Sequence, residues 1–163
     1  QWEDPTRFGP VVRDILPWVD VALGTEEEFK ALFIKDREQL SISDSQISSP
    51  EISGDLDEII EALLVDGPGT LVLKRGIEGA SVYDGEGRVA HAEPFPVEVA
   101  NVLGAGDAFA SGYICGHLRG WSPERSARLG NATGAIVVTR QGCANFMPTE
   151  AEVEAFVADR GGY

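Results

Sequence analysis

Gly104-Ala105-Gly106-Asp107, set between the apolar, strand-like run Pro96–Ala100 and the apolar helical run Ala108–Leu118, decides the class of fold. An extended run, a glycine turn and a helix in immediate succession make the unit from which α/β sheets are built. The small residues let the backbone turn sharply and leave its N–H groups bare. The helix begins at once, so the local field favours an anion, and Asp107 places a carboxylate beside it. On the tetrapeptide alone two readings stay open. Asp107 is an ordinary helix N-cap, or it serves proton transfer next to a bound phosphate. The apolar residues that follow, Ala108-Phe109-Ala110, favour the second, because they imply a buried helix with Asp107 at the floor of a cleft.

Working outward, strand and helix patterns alternate. Helical spacing runs over Pro10–Leu16, and Val19–Leu23 reads as a short buried strand. Thr25 caps a helix whose first turn is Glu26-Glu27-Glu28, acids that suit the helix dipole. Lys35–Ser53 is polar and Ser-rich and reads as a loop, and Leu56–Leu64 returns to helical spacing. Thr70–Lys74 is a β-branched and apolar strand ending in the glycine turn Arg75-Gly76-Ile77-Glu78-Gly79. Ala80–Tyr83 and Arg88–Ala92 flank Asp84-Gly85-Glu86-Gly87, a hairpin signal. Ser122 and Pro123 open a helix to Thr139, and Thr149 with Glu152 opens a last one to Val157. The expected class is α/β with a mostly parallel sheet flanked by helices. Ligands of such sheets lie beyond the carboxyl ends of strands, where Arg75–Gly79 and Gly104–Asp107 both fall.

Composition narrows the partners. The chain has 163 residues, a formal net charge of −14 and a pI near 4.4. Nucleic acid and anionic membranes select the opposite charge. ATP is compatible with an acidic chain, because backbone amides, one or two cations and Mg²⁺ make a local positive site. Cys115 and Cys143 are too few and too far apart for a disulfide framework or a zinc motif. No stretch reaches the about 18 apolar residues of a membrane span, and no signal-peptide pattern is present. The expected setting is cytoplasmic. The chain opens Gln1-Trp2-Glu3 directly before a helical pattern, and so reads as the interior of a longer protein.

The common nucleotide motifs fail. No Gly-x-x-x-x-Gly-Lys-Ser/Thr run exists, and Phe109 stands where a dinucleotide fingerprint needs glycine. His91 and His117 lack a paired acid or nucleophile in sequence, and Trp2, Trp18 and Trp121 read as core or interface anchors.

The longer run Asn101-Val102-Leu103-Gly104-Ala105-Gly106-Asp107-Ala108-Phe109 resembles the C-terminal signature of the ribokinase-like (PfkB) carbohydrate kinases. Leu71–Gly79 is similar to that family's phosphate-binding strand and turn, and Gly24–Glu28 to its Asn-x-x-Glu element. Asn131-Ala132, Val138–Gly142 and Pro148-Thr149 resemble its nucleotide-base region. These elements occur in family order over most of the chain. The resemblance implies that residues 1–163 are the C-terminal, nucleotide-binding and catalytic part of a ribokinase-like fold, with the sugar-binding and lid half absent. It implies ATP-dependent phosphorylation of a sugar or keto-sugar-acid hydroxyl. The runs Leu71–Gly76 and Gly142–Thr149 are most similar to the subfamily acting on 5-dehydro-2-deoxygluconate in inositol breakdown.

By residue, the resemblance makes Asp107 the catalytic base and Gly104, Ala105 and Gly106 donors to the transferred phosphoryl group. It gives Thr25, Lys74, Gly76, Gly79 and Asn131 to the nucleotide, and Glu28 to Mg²⁺ through water. The family pattern has Asn where this chain has Thr25, Thr where it has Lys74, and Asp where it has Asn101. A monovalent cation such as K⁺ is then left to backbone carbonyls near Leu103, Arg140 and Gly142. The implied partners are a small sugar or sugar acid and ATP, with no nucleic acid and no membrane, and a homodimer for the full-length form. A non-catalytic binding module of the same fold and a dinucleotide oxidoreductase remain as rival readings.

Overall fold

The computed structural model describes residues 4–41, 51–142 and 144–163. Its elements are β1 (Val21–Thr25), β2 (Leu40–Ser41), β3 (Glu51–Ile52), β4 (Thr70–Lys74), β5 (Ala80–Asp84) and β6 (Gly87–Ala92). The helices are α1 (Phe8–Arg13), α2 (Glu26–Ala31), α3 (Leu56–Asp66), α4 (Ala105–Leu118), α5 (Pro123–Val138) and α6 (Glu150–Ala158). One sheet has the strand order β1-β4-β5-β6, and β2 pairs antiparallel with β3 in a second. The connection from β1 to β4 carries α2 and α3, the long crossover that parallel neighbours require. Residues 75–79 join β4 to β5, and residues 85–86 join β5 to β6, connections short enough only for antiparallel neighbours. The sheet is therefore mixed, with parallel strands and flanking helices.

The chain divides into two compact units, residues 1–73 with 83–87, and residues 74–82 with 88–163. The first unit gathers its core from Leu16, Phe29, Leu32, Ile59, Ile60, Leu63, Leu71, Leu73 and Tyr83. Ile59, Ile60 and Leu63 recur at helical spacing, so α3 buries one face; fully burying each such side chain is worth about 1.5–3 kcal/mol. Asp55 starts this helix by accepting from the backbone N–H groups of Asp57 and Glu58, at 2.9 and 3.1 Å.

The second unit is organised around α4 and α5, the most extensive helix pair of the chain. Phe95, Leu129, Ala132, Ala135, Ile136, Val153 and Val157 form its core. Close approach of the pair depends on missing side chains. A Cβ on Gly112 would stand 2.5 Å from Thr133 Oγ1, and one on Gly130 would stand 2.9 Å from the Phe109 ring. The Thr133 hydroxyl, buried, donates to the carbonyl of Ala108 at 2.7 Å and so ties α5 to the first turns of α4.

Several expectations shift. The strand-like run Pro96–Ala100 forms no strand. Pro94 and Pro96 have no N–H for a ladder, and the N–H groups of Ala100 and Asn101 instead both donate to the carbonyl of Val138, at 2.8 and 3.1 Å. The helix expected from Ala108 starts at Ala105. The first helix ends at Arg13 and gives way to a 3-10 turn, Leu16–Trp18, with Pro17 inside it. The first strand runs two residues later than the apolar pattern suggested. The loop expected over Lys35–Ser53 contains the short strands β2 and β3, and its residues 42–50 lie outside the described ones, as do Trp2 and Cys143. Trp18 is 87% exposed and so is no core anchor, whereas Trp121 packs edge-on against Tyr163 and lies 3.8 Å under the Arg125 guanidinium.

Candidate active site

The site is built at the start of α4. Gly104 is the N-cap, at φ 84° and ψ −2°, a left-handed conformation that glycine adopts without Cβ strain. Ala105, Gly106 and Asp107 are the first three helical residues. Of their N–H groups, that of Ala105 bonds the carbonyl of Val102 at 3.3 Å. Those of Gly106 and Asp107 have no protein acceptor among the described residues. Two unfilled donors at the positive end of a 14-residue helix are an arrangement that can receive an anion.

Lys74, the last residue of β4, completes it. Its ammonium lies 3.3 Å from where a Cβ on Gly106 would stand, so the glycine leaves the space into which the cation reaches. The strand end, the ammonium and the bare amides thus meet within the second unit. The departure from the family pattern at position 74 therefore places an ammonium group beside the start of α4.

Asp107 corrects the reading of the sequence in two ways. It is the third helical residue and not the cap, because Gly104 takes that place. It is also exposed and not at the floor of a cleft. The reason is the angular position of the acid: α4 buries Ala108, Phe109, Gly112, Tyr113 and Gly116, while Asp107, Ser111, Ile114 and Leu118 share the opposite, exposed face. The Ser111 hydroxyl donates to the Asp107 carbonyl at 2.8 Å.

The glycines of the preceding turn separate into two kinds. Gly79, at φ 80°, has the carbonyl of Ala92 2.1 Å from its would-be Cβ, so its bareness serves contact with β6. Gly76, at φ 56°, has nothing within 4 Å of that point and faces open space. The turn closes on itself through the Arg75 N–H donating to the Gly79 carbonyl at 2.9 Å and the Gly79 N–H to the Gly76 carbonyl at 3.1 Å. Asn131, on α5, spends its Nδ2 on the carbonyls of Ala92 and Glu93, both at 2.9 Å. Arg128 holds the same backbone, donating to Glu93 and Pro94, and burial lowers the pKa of its guanidinium.

Thr25 and Glu28 lie in the first unit and are joined to each other. Thr25 N–H donates to Glu28 Oε2 at 2.7 Å and Glu28 N–H to Thr25 Oγ1 at 3.3 Å, a capping box at the start of α2. No cluster of three or more His, Cys, Asp or Glu side chains suited to a metal exists among the described residues. A phosphate-bound Mg²⁺ needs only one or two carboxylates.

Spatial neighbours far apart in sequence escaped the sequence reading. His91 accepts or donates at Ser81 Oγ, 3.1 Å away, and its other ring nitrogen lies 3.6 Å from Glu93. Ser81 is only 1% exposed and is therefore not an accessible nucleophile, although the His91 and Glu93 side chains reach toward solvent. Asn101, Thr133 and Arg140 hold the site's backbone through contacts whose separations along the chain carry no local pattern.

The profile of the pfkB family carbohydrate kinases matches residues 1–150. The 5-dehydro-2-deoxygluconokinase of Halalkalibacterium halodurans is 28% identical over 156 residues, which are 96% of this chain and 43% of that protein. That of Clostridium beijerinckii is 30% identical over 140 residues, 86% of this chain and 38% of that one. Among solved structures, one named as a ribokinase II of E. coli, in complex with ATP and Mg²⁺, superposes with a TM-score of 0.72 at 27% identity, over 92% of this chain and 42% of the other. Aminoimidazole riboside kinase of Salmonella enterica, at 20% identity and a TM-score of 0.74 over 96% of this chain and 48% of its own, shares the fold. The chain thus spans under half the length of the relatives it matches. A profile match over residues 1–150, a ribokinase-like fold and a glycine turn opening α4 agree, and this chain belongs to the pfkB family of carbohydrate kinases.

Proposed function

We propose that the protein containing this chain is an ATP-dependent kinase that phosphorylates a hydroxyl of a sugar or keto-sugar acid, with 5-dehydro-2-deoxygluconate as the acceptor. The observation that carries the reading is the ammonium of Lys74 against the unfilled N–H groups at the start of α4. That arrangement suits a phosphoryl group whose charge grows on its outer oxygens during transfer. Asp107, one residue beyond Gly106 and open to solvent, takes the acceptor's hydroxyl proton. The freed oxygen attacks the γ-phosphorus, the bond from that phosphorus to the β–γ bridging oxygen breaks, and ADP leaves.

In this reading Gly104, Ala105 and Gly106 line the transferred group, and Gly76 with Gly79 forms the turn beside the nucleotide phosphates. Mg²⁺, when bound, screens the phosphate charge. Glu28 would hold it through water, with Thr25 fixing the carboxylate by the capping box. Asn131 has committed its Nδ2, so its Oδ1 is the atom left for a base. Of the backbone carbonyls left for a monovalent cation, that of Gly142 already accepts from Asn101. The acceptor's remaining contacts belong to the part of the protein outside this chain. The proposed setting is cytoplasmic and the proposed assembly a homodimer.

The acceptor rests on the names of the curated relatives. The test is a panel on the full-length protein: 5-dehydro-2-deoxygluconate, fructose, ribose and 2-dehydro-3-deoxygluconate with ATP and Mg²⁺. Turnover of another sugar but not the first would move the acceptor. ATP binding without any turnover would favour a non-catalytic module.

A further inference from the structure

The backbone that leads into the anion turn is not held by apolar burial. Val102 and Leu103, the two residues before Gly104, are 68% and 63% exposed. What holds it is polar. Asn101 Oδ1 accepts from the N–H of Leu103 at 3.0 Å, and Asn101 Nδ2 donates to the carbonyl of Gly142 at 3.3 Å. The two partners fix the orientation of the carboxamide, because an N–H can only meet oxygen and a carbonyl can only meet the NH₂ group. Gly142 is itself closely packed. The ring of Phe146 fills the place of its Cβ, at 2.0 Å, and Arg140 holds the Phe146 carbonyl at 2.9 Å and the Glu152 carboxylate at 2.6 Å. A continuous path of contacts therefore runs from the start of α6 to the cap of α4, and Asn101 is its last side chain.

We propose that Asn101 is the positioning residue for the phosphate-binding turn, and that its carboxamide does with hydrogen bonds what a carboxylate there could do only through an intervening cation. Aspartate keeps the acceptor for Leu103 but has no donor for Gly142. It sets a carboxylate oxygen against a carbonyl oxygen. Two such oxygens repel each other, and together they are the ligand set of a hard cation. In the native chain the amide removes that need, so the turn is set without K⁺.

The proposal rests on the kinase reading for one readout and is independent of it for the other. The full-length protein, Asn101→Asp and Asn101→Ala are compared in buffer free of alkali cations and in added K⁺. Kinase activity of the native protein changes little with K⁺. That of N101D falls about tenfold or more without K⁺, as expected when a part-buried carbonyl loses its donor and faces a carboxylate, and K⁺ restores most of it. N101A falls similarly and is not restored, since it offers no oxygen to a cation. Hydrogen exchange at the Leu103 amide rises in N101A and stays slow in N101D with K⁺. Activation of the native protein by K⁺ as strong as that of N101D, or unchanged Leu103 exchange in N101A, would overturn the proposal. A native protein with no kinase activity would sink the functional reading instead, and the exchange data would still decide the role of Asn101.

Discussion

Lys74 reaches the start of α4 because residue 106 is glycine: its Nζ stands 3.3 Å from the point a Cβ would occupy. Position 106 therefore combines an N–H left unfilled by its place in the first turn of α4 with room for a cation left by its missing side chain. In Gly106→Ala of the full-length protein the long lysine side chain can yield by a few tenths of an ångström. A rise of a few-fold in KM for ATP is expected, with little loss of stability. Lys74→Met removes the charge and is expected to lower kcat by about 10²-fold, the scale of losing one preorganised charge stabiliser. Steady-state kinetics on both variants checks the pair, and an unchanged K74M would detach Lys74 from the site.

Asp107→Asn tests the proton acceptor. The side chain is exposed, so the variant should keep native stability within about 0.5 kcal/mol. Its kcat is expected to fall about 10²–10⁴-fold, with the affinity for ATP retained. Equal rates in the variant and the native protein would remove Asp107 from the chemistry.

Gly79→Ala and Gly76→Ala separate packing from conformation. Both positions have positive φ, 80° and 56°, at which an added Cβ costs about 1–2 kcal/mol. At Gly79 the Cβ also meets the Ala92 carbonyl at 2.1 Å, whereas at Gly76 it meets nothing within 4 Å. Denaturant unfolding should therefore show G79A the more destabilised. G76A should show its effect instead in nucleotide binding.

Thr133→Val removes the donor to the Ala108 carbonyl while keeping the shape of the side chain. The buried carbonyl loses a partner, at a cost of about 1–3 kcal/mol. Thr133→Ser should recover most of the loss, a comparison that chemical denaturation can make.

The start of α6 has a predictable response to acid. Glu150 is held below its ordinary pKa by its hydrogen bond to Arg119, and Glu152 by hydrogen bonds from the Thr149 backbone and hydroxyl and then from Arg140. A carboxylate whose folded pKa is depressed stabilises the native state above its unfolded pKa, about 4.3 for Glu. That contribution disappears as pH falls through the lower folded value. Amide protection factors across residues 144–152, corrected for the intrinsic pH dependence of exchange, should fall below about pH 4 in the native protein. In Glu150→Gln with Glu152→Gln the protection should already be lower at neutral pH and respond less to acid.

The local signals were legible in the sequence wherever the physics is local. Thr149 with Glu152, Ser122 with Pro123, and Thr25 before its acidic first turn are capping signals whose partners lie within three residues, and all three caps form. The Asp84–Gly87 hairpin and the β4 strand follow from turn chemistry and β-branched runs in the same way. So does the family, because the glycine turns carry a motif whose order along the chain is itself the signal.

Tertiary structure alone decided the rest. Pro96–Ala100 has a strand's pattern but no strand's partner, since its two free N–H groups near the end of the run go to one carbonyl of α5. Asp107 was expected to be sheltered because its neighbours are apolar, yet the helix turns it to the outside, and only the packing of α4 on α5 sets which face is buried. Gly76 and Gly79 are alike as letters and differ only in what stands opposite their missing Cβ. Asn101 looked like a lost acid, and became a clamp because Gly142, 41 residues away, offers it a carbonyl. The sequence determines the fold family and the local caps and turns, through interactions within a turn or a helix. Which residues meet, and which face solvent, is set by contacts between segments distant along the chain, and these exist only once the chain has folded.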